Sequence, residues 1–192
     1  MLPNVLQTSA TDHVPVLAGE VRELLAVRPG ETVVDATFGA GGHAALLAAD
    51  LQGKGKLIAI DRDPGARAYF DRVAKQVAAQ TRFLRGDFSV VLEQLADNGV
   101  EADAILLDLG VSSMQIDRPE RGFSYIADAP LDMRMDPSAD VTAAGIVNEW
   151  RSVTSRRSSS VTAKSAMRAR SRGRSCAGGR SNPSSGRAIS SR

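Results

Sequence analysis

Between residues 32 and 108 four short, mostly apolar runs alternate with three stretches of helical spacing. Nothing else in the chain restricts its fold as much. The runs are Thr32-Val33-Val34, Leu57-Ile58-Ala59-Ile60, Arg82-Phe83-Leu84-Arg85 and Ala104-Ile105-Leu106-Leu107. Too short for helices and with little polar alternation, they read as strands buried on both faces. The stretches between them carry apolar residues three and four apart. Ala44 to Leu51 is one, and Val90 to about Asn98, capped by Ser89 and stopped by Gly99, is another. Between these two, Asp63-Pro64 opens a helix that carries Ala68, Phe70, Val73 and Val77 and runs to about Gln80. A further helix precedes the first strand, marked by Val14, Val16, Leu17, Val21, Leu24 and Leu25 and ended by Arg28-Pro29-Gly30. Strand and helix in alternation predict an open, doubly wound α/β sheet of parallel strands. In such sheets ligands sit at the carboxyl ends of the strands, where strand order reverses.

Charge divides the chain in two. Residues 1–150 hold 13 Lys/Arg against all 22 Asp/Glu, a net −9, while residues 151–192 hold 11 Lys/Arg and no acid, a net +11. The second part has 13 Ser, no Leu and no aromatic residue, so it is expected to be a disordered basic Arg/Ser-rich segment. A single cysteine, Cys176, and two histidines argue against an internal disulfide or a Cys/His metal site. No apolar run approaches the ~18 residues of a membrane-spanning helix, and no secretory signal opens the chain. A cytoplasmic protein without a membrane partner is the expectation.

The strand ends carry the chemistry. After the first comes Asp35-Ala-Thr-Phe-Gly39-Ala-Gly41-Gly42-His43, a glycine-rich turn leading into a helix. It lets backbone N–H groups approach a ligand, although such a turn can also be simply tight. The second strand ends in Asp61, 22 residues after Gly39. An acid there can accept hydrogen bonds from both hydroxyls of an adenosine ribose, or can be a solvated turn carboxylate. Turn and acid together point to a nucleoside cofactor. The spacing Gly-x-Gly-Gly differs from the Gly-x-Gly-x-x-Gly of dinucleotide folds, and Asp35 suits an ammonium, so S-adenosylmethionine is favoured over NAD. After the third strand, Asp87 can reach an adenine amino group and Phe88 can cover the base, or Phe88 can be core. Asp108, at the end of the fourth strand, lies where the reacting centre of a doubly wound sheet falls. It can accept a proton or hydrogen-bond an exocyclic amine, or it can cap a turn.

Six segments together resemble one family: His13-Val-Pro-Val-Leu17, Asp35 to His43, Ile60-Asp-Arg-Asp-Pro64, Leu106-Leu-Asp-Leu-Gly-Val-Ser-Ser113, Glu120-Arg-Gly-Phe-Ser124 and Pro130-Leu-Asp-Met-Arg-Met-Asp-Pro137. The resemblance, over roughly residues 10–150, is to the RsmH (MraW) family, bacterial 16S ribosomal RNA cytosine-N4 methyltransferases. It implies S-adenosyl-L-methionine as cofactor and a cytosine of 16S ribosomal RNA, in the decoding region of the small ribosomal subunit, as substrate. It also implies that Gly41, Gly42, His43, Asp61, Phe88, Asp108 and Gln115 contact the cofactor, with Asp108 the best candidate for orienting the cytosine amine. Arg118, Arg121, Phe123 and Arg134, with Met114, Met133 and Met135, fall in a following stretch that could contact phosphates or an extruded base, or simply pack as a loop.

The expected organisation is an N-terminal segment and helix over 1–30, a partial Rossmann-like methyltransferase domain over 31–150, and the basic segment over 151–192. Members of the family continue past the position of Trp150 into an inserted helical domain, closing strands and a Ser-Phe-His-Ser motif. Here the sequence turns to Arg and Ser instead, as a frameshifted reading would give. The expectations are therefore an exposed edge on the fourth strand and weak or absent activity. A non-catalytic RNA-binding fragment is the alternative, and an NAD-dependent oxidoreductase a more distant one.

Overall fold

A computed structural model describes residues 15–126, 128–149 and 187–191. Five parallel strands form one sheet: β1 (Thr32–Asp35), β2 (Lys56–Asp61), β3 (Gln80–Arg85), β4 (Ala104–Asp108) and β5 (Arg187–Ser191). Their order is β3-β2-β1-β4-β5. The helices are α1 (Ala18–Leu25), α2 (Gly42–Asp50), α3 (Ala66–Gln76), α4 (Phe88–Asp97), the single turn α5 (Ser113–Ile116) and α6 (Ala143–Glu149).

Strand order follows from the connections. Right-handed crossovers carry β1-α2-β2 and β2-α3-β3 in one direction across the sheet, which puts α2 and α3 on the same face. The β3-α4-β4 connection returns past β1, which puts α4 on the other. Successive strand residues point to opposite faces, and the core divides accordingly. Val33, Leu57, Ala59, Ala104 and Leu106 pack with Val21 and Leu25 of α1, Leu47 of α2 and Phe70 and Val73 of α3. Val34, Ala36, Ile58 and Ile60 pack with Val91 and Leu95 of α4. Each large aliphatic side chain buried in this way contributes about 1.5–3 kcal/mol relative to exposure. Because β2 lies on one side of β1 and β4 on the other, strand order reverses at β1.

The four strands read from sequence are all present, but several boundaries differ, two of them for clear physical reasons. α3 ends at Gln76 and Val77 is extended (φ −102°, ψ 143°), because the chain must reach the start of β3 at Gln80. α4 begins earlier than expected. Its cap is Asp87, whose carboxylate accepts from the Ser89 backbone N–H at 2.9 Å and from its hydroxyl at 2.6 Å, so Ser89 is not the cap.

The expectation of an open edge on β4 is corrected by the structure. Arg187–Ser191 lies parallel to β4 in the register Ala104↔Arg187 to Asp108↔Ser191. The rest of the basic segment, 151–186, lies outside the described residues.

Arg118–Arg134 and the described residues of Ser138–Pro183 form a second unit. Within it the Arg134 guanidinium donates to both oxygens of Asp132, at 2.9 and 2.6 Å, and to the Ala139 carbonyl at 2.7 Å. The Arg121 guanidinium donates to the Arg134 carbonyl at 2.9 Å and lies 6.0 Å from the Phe123 ring centroid. Arg134 therefore holds its own loop together. Asp132, beside it, titrates well below the ordinary carboxylate range because the Arg134 guanidinium stabilises its charge.

Candidate functional site

The turn after β1 is fastened to both neighbouring strands. Ala36 N–H donates to the Leu106 carbonyl at 2.9 Å and Phe38 N–H to the Ile60 carbonyl at 3.0 Å. The Thr37 hydroxyl oxygen accepts from Asp108 N–H at 2.7 Å, fixing the end of β4 against the end of β1. Phe38 points inward and packs edge-on against Phe70 and Phe83, with centroids 5.8 and 6.2 Å away. Gly41 then caps α2 with φ +82°, and a Cβ on it would come 2.5 Å from the Phe38 ring. Only glycine satisfies both demands.

These constraints leave a cavity of about 430 Å³ at the carboxyl ends of β1, β2 and β4. It lies at the reversal of strand order, where open α/β sheets bind ligands. Gly41, Gly42, His43, Asp61, Phe88, Asp108 and Gln115 all line it, so the structure brings together the seven residues that the resemblance assigns to the cofactor. Asp87 does not line it; the α4 cap engages its carboxylate, with Arg62 Nη1 at 3.7 Å from the other oxygen. Phe88 both lines the cavity and packs against the α4-side core. Met135 also lines it, next to Asp136, which accepts from Arg85 at 2.9 Å.

Each carboxylate in the site has a different environment. Asp35 is 1% exposed, and its carboxylate accepts from Thr37 N–H at 3.1 Å. Burial, with Asp61 and Asp108 adding negative charge, pushes Asp35 up to about 7. Asp61 accepts from Gly39 N–H at 2.7 Å on one oxygen and from Asp63 N–H at 2.8 Å on the other. Burial raises it from the usual carboxylate range, against the pull of those N–H donors. Each oxygen keeps a lone pair for a further donor. Asp108 is the most open of the three, with its side chain 45% exposed and one oxygen 3.8 Å from His43 Nε2.

His43 is held below the ordinary imidazole value by burial, which outweighs the opposing influence of Asp108 and the Val16 backbone. Its Nδ1 is nevertheless buried without a hydrogen bond of acceptable geometry. Among the described residues His43 Nδ1 and the Ser112 hydroxyl are the buried side-chain polar atoms in this condition. Both residues line the cavity. Gln115 differs: its carbonyl accepts from Ser112 N–H and its amide donates to Asp63, each at 3.1 Å. Sequence reasoning missed Asp63, a buried carboxylate that also accepts from Gly65 N–H at 2.8 Å. Its signal was its place two residues after a strand-end acid.

The chain is 49% identical over 142 residues to the ribosomal RNA small subunit methyltransferase H of Mycolicibacterium gilvum, covering 72% of this chain and 38% of that one. The corresponding protein of Symbiobacterium thermophilum is 48% identical over 143 residues, 73% of this chain and 45% of that one. That of Heliobacterium mobile is 47% identical over 141 residues, 72% and 45%. The chain thus spans less than half the length of these relatives. A family profile matches residues 10–156, which hold the glycine turn and all the cavity's carboxylates, and the chain belongs to the MraW methylase family.

Proposed function

We propose that this chain binds S-adenosylmethionine in the cavity at the ends of β1, β2 and β4, as part of a methyltransferase acting on N4 of a cytosine in the decoding region of 16S ribosomal RNA. The observation that carries the reading is the charge of the cavity. Asp35, Asp61 and Asp108 line it; Arg62 lines it too, with its guanidinium 3.7 Å from the Asp87 carboxylate. Two carboxylates, Asp61 and Asp108, with the acidic group of Asp35 beside them, favour a ligand with a sulfonium and an ammonium over one with the pyrophosphate of NAD.

When bound, S-adenosylmethionine supplies a methyl group on a positively charged sulfur. The residues do the rest. Asp61 accepts from the ribose hydroxyls with the lone pairs its backbone donors leave. The N–H groups at the start of α2 face the ligand carboxylate, and Phe88 flanks the adenine. Asp108 accepts an N–H of the cytosine amine, which concentrates its lone pair on nitrogen. It would then take the proton that the amine gives up as the N–C bond forms and the S–C bond breaks, the sulfonium leaving as the neutral thioether of S-adenosylhomocysteine. Thr37, by holding Asp108 N–H, keeps that carboxylate in place.

Titration calorimetry with S-adenosylhomocysteine tests this reading. Asp61→Ala removes charge-assisted bonds worth on the order of 1.5–3 kcal/mol, so the dissociation constant should rise roughly ten- to a hundredfold. An unchanged constant in a folded variant, or thermal stabilisation by NAD alone, refutes the assignment.

A further inference from the structure

The glycines that line the cavity have reasons to be glycine, with one exception. Gly39 and Gly41 have φ of +55° and +82°, Gly42 lies against Pro15, and a Cβ on Gly86 would come 2.8 Å from Val91. Gly110 has neither reason. Its φ lies outside the left-handed region, and a Cβ there would have no atom within 4 Å. The fold would accept a side chain at this position at little cost, so packing among the described residues gives no reason for the glycine.

Its neighbours supply the explanation. Leu109 and Val111, on either side, are 48% exposed although apolar, and both line the cavity beside the half-exposed carboxylate of Asp108. An apolar lip with a gap in the middle, next to a hydrogen-bond acceptor, fits a flat, largely apolar ring that carries an N–H donor on its edge. We infer that Leu109, Gly110 and Val111 form the seat of the acceptor nucleobase, with the missing side chain of Gly110 as clearance for the ring and two aliphatic side chains as its platform. The inference rests on the methyltransferase reading and extends it to the acceptor side of the same cavity. Covering the two side chains with a base removes apolar surface from water on binding, which favours the ring over a polar ligand of equal size.

The test uses the purified 192-residue chain saturated with S-adenosylhomocysteine, with cytidine as probe, read by saturation-transfer NMR titration. Cytidine should take up saturation from the wild type. Gly110→Ala should weaken its binding severalfold and Gly110→Val at least tenfold, in each case far more than either weakens S-adenosylhomocysteine. The alanine variant fills open space without backbone strain, so its unfolding midpoint should match the wild type and keep the experiment interpretable. Wild type that binds S-adenosylhomocysteine but not cytidine overturns the inference and leaves the cofactor reading standing. So does cytidine binding undiminished in both variants. Failure of the wild type to bind S-adenosylhomocysteine overturns both.

Discussion

Asp35 ends β1 with its carboxyl group almost wholly removed from water and two further carboxylates facing the same cavity. Its titration near 7 gives a pH dependence with a definite sign. Between about pH 4 and pH 7 the folded chain holds a proton on Asp35 that the unfolded chain has released. Stability contributed by the neutral form is complete at the acid end of that window and is lost as pH rises through it. Each tenfold change in proton affinity is worth ~1.4 kcal/mol, so the loss is on the order of a few kcal/mol. Asp35→Asn keeps the acceptor for Thr37 N–H and removes the titration. Urea unfolding should show the variant gaining on the wild type by a few kcal/mol between pH 5 and pH 8; parallel pH profiles would show that Asp35 is ionised throughout. The strand-end position of Asp35, Asp61 and Asp108 could be read from sequence, because an apolar run that stops at an acid is a local pattern. That Asp35 is fully enclosed could not, because Leu106 and Ile60, whose carbonyls anchor the following turn, come from strands far away in the chain.

At the scale of elements, propensity and periodicity located β1 to β4 and α2 to α4, and the remaining errors lie at the ends. Asp87 illustrates why. Asp-Phe-Ser places two cap-forming side chains two residues apart, and sequence does not decide between them. The structure uses Asp87, with Ser89 as donor, and that commitment takes Asp87 out of the cavity. Asp87→Ala should therefore cost about 1 kcal/mol of stability, the usual value of an N-cap, and leave the S-adenosylhomocysteine dissociation constant within about twofold. A tenfold loss of affinity with unchanged stability would return Asp87 to the adenine site. Arg134 teaches the same lesson on a loop. An arginine in a polar stretch looks available for phosphate, yet its bonds to Asp132 and Ala139 use the guanidinium to close a loop that contains no strand. Such partners, two to five residues away, are invisible to a reading based on period.

At the scale of the whole molecule, the part of the fold least visible in the sequence is β5. Arg-Ala-Ile-Ser-Ser has no apolar run and no flanking helical period, and a strand added to a sheet edge is selected by backbone groups that every residue carries. The magnitudes predict what that strand does. Five residues in a parallel ladder gain about five hydrogen bonds at ~0.5–1.5 kcal/mol each, and ordering their backbone costs ~1–2 kcal/mol per residue. The two nearly cancel, so backbone pairing alone adds little to the stability of the sheet. Its effect falls on the edge: without β5, the unpaired N–H and C=O groups of Ala104–Asp108 would face solvent along a strand that reads Ile105-Leu106-Leu107 at its centre. An exposed apolar edge of that kind pairs with other chains. Deleting residues 187–192 should therefore change the urea unfolding free energy by no more than ~1–2 kcal/mol. Light scattering at rising protein concentration should nevertheless grow severalfold faster than for the intact chain. A deletion variant that scatters no more than the intact chain would mean that β4 does not need this cover.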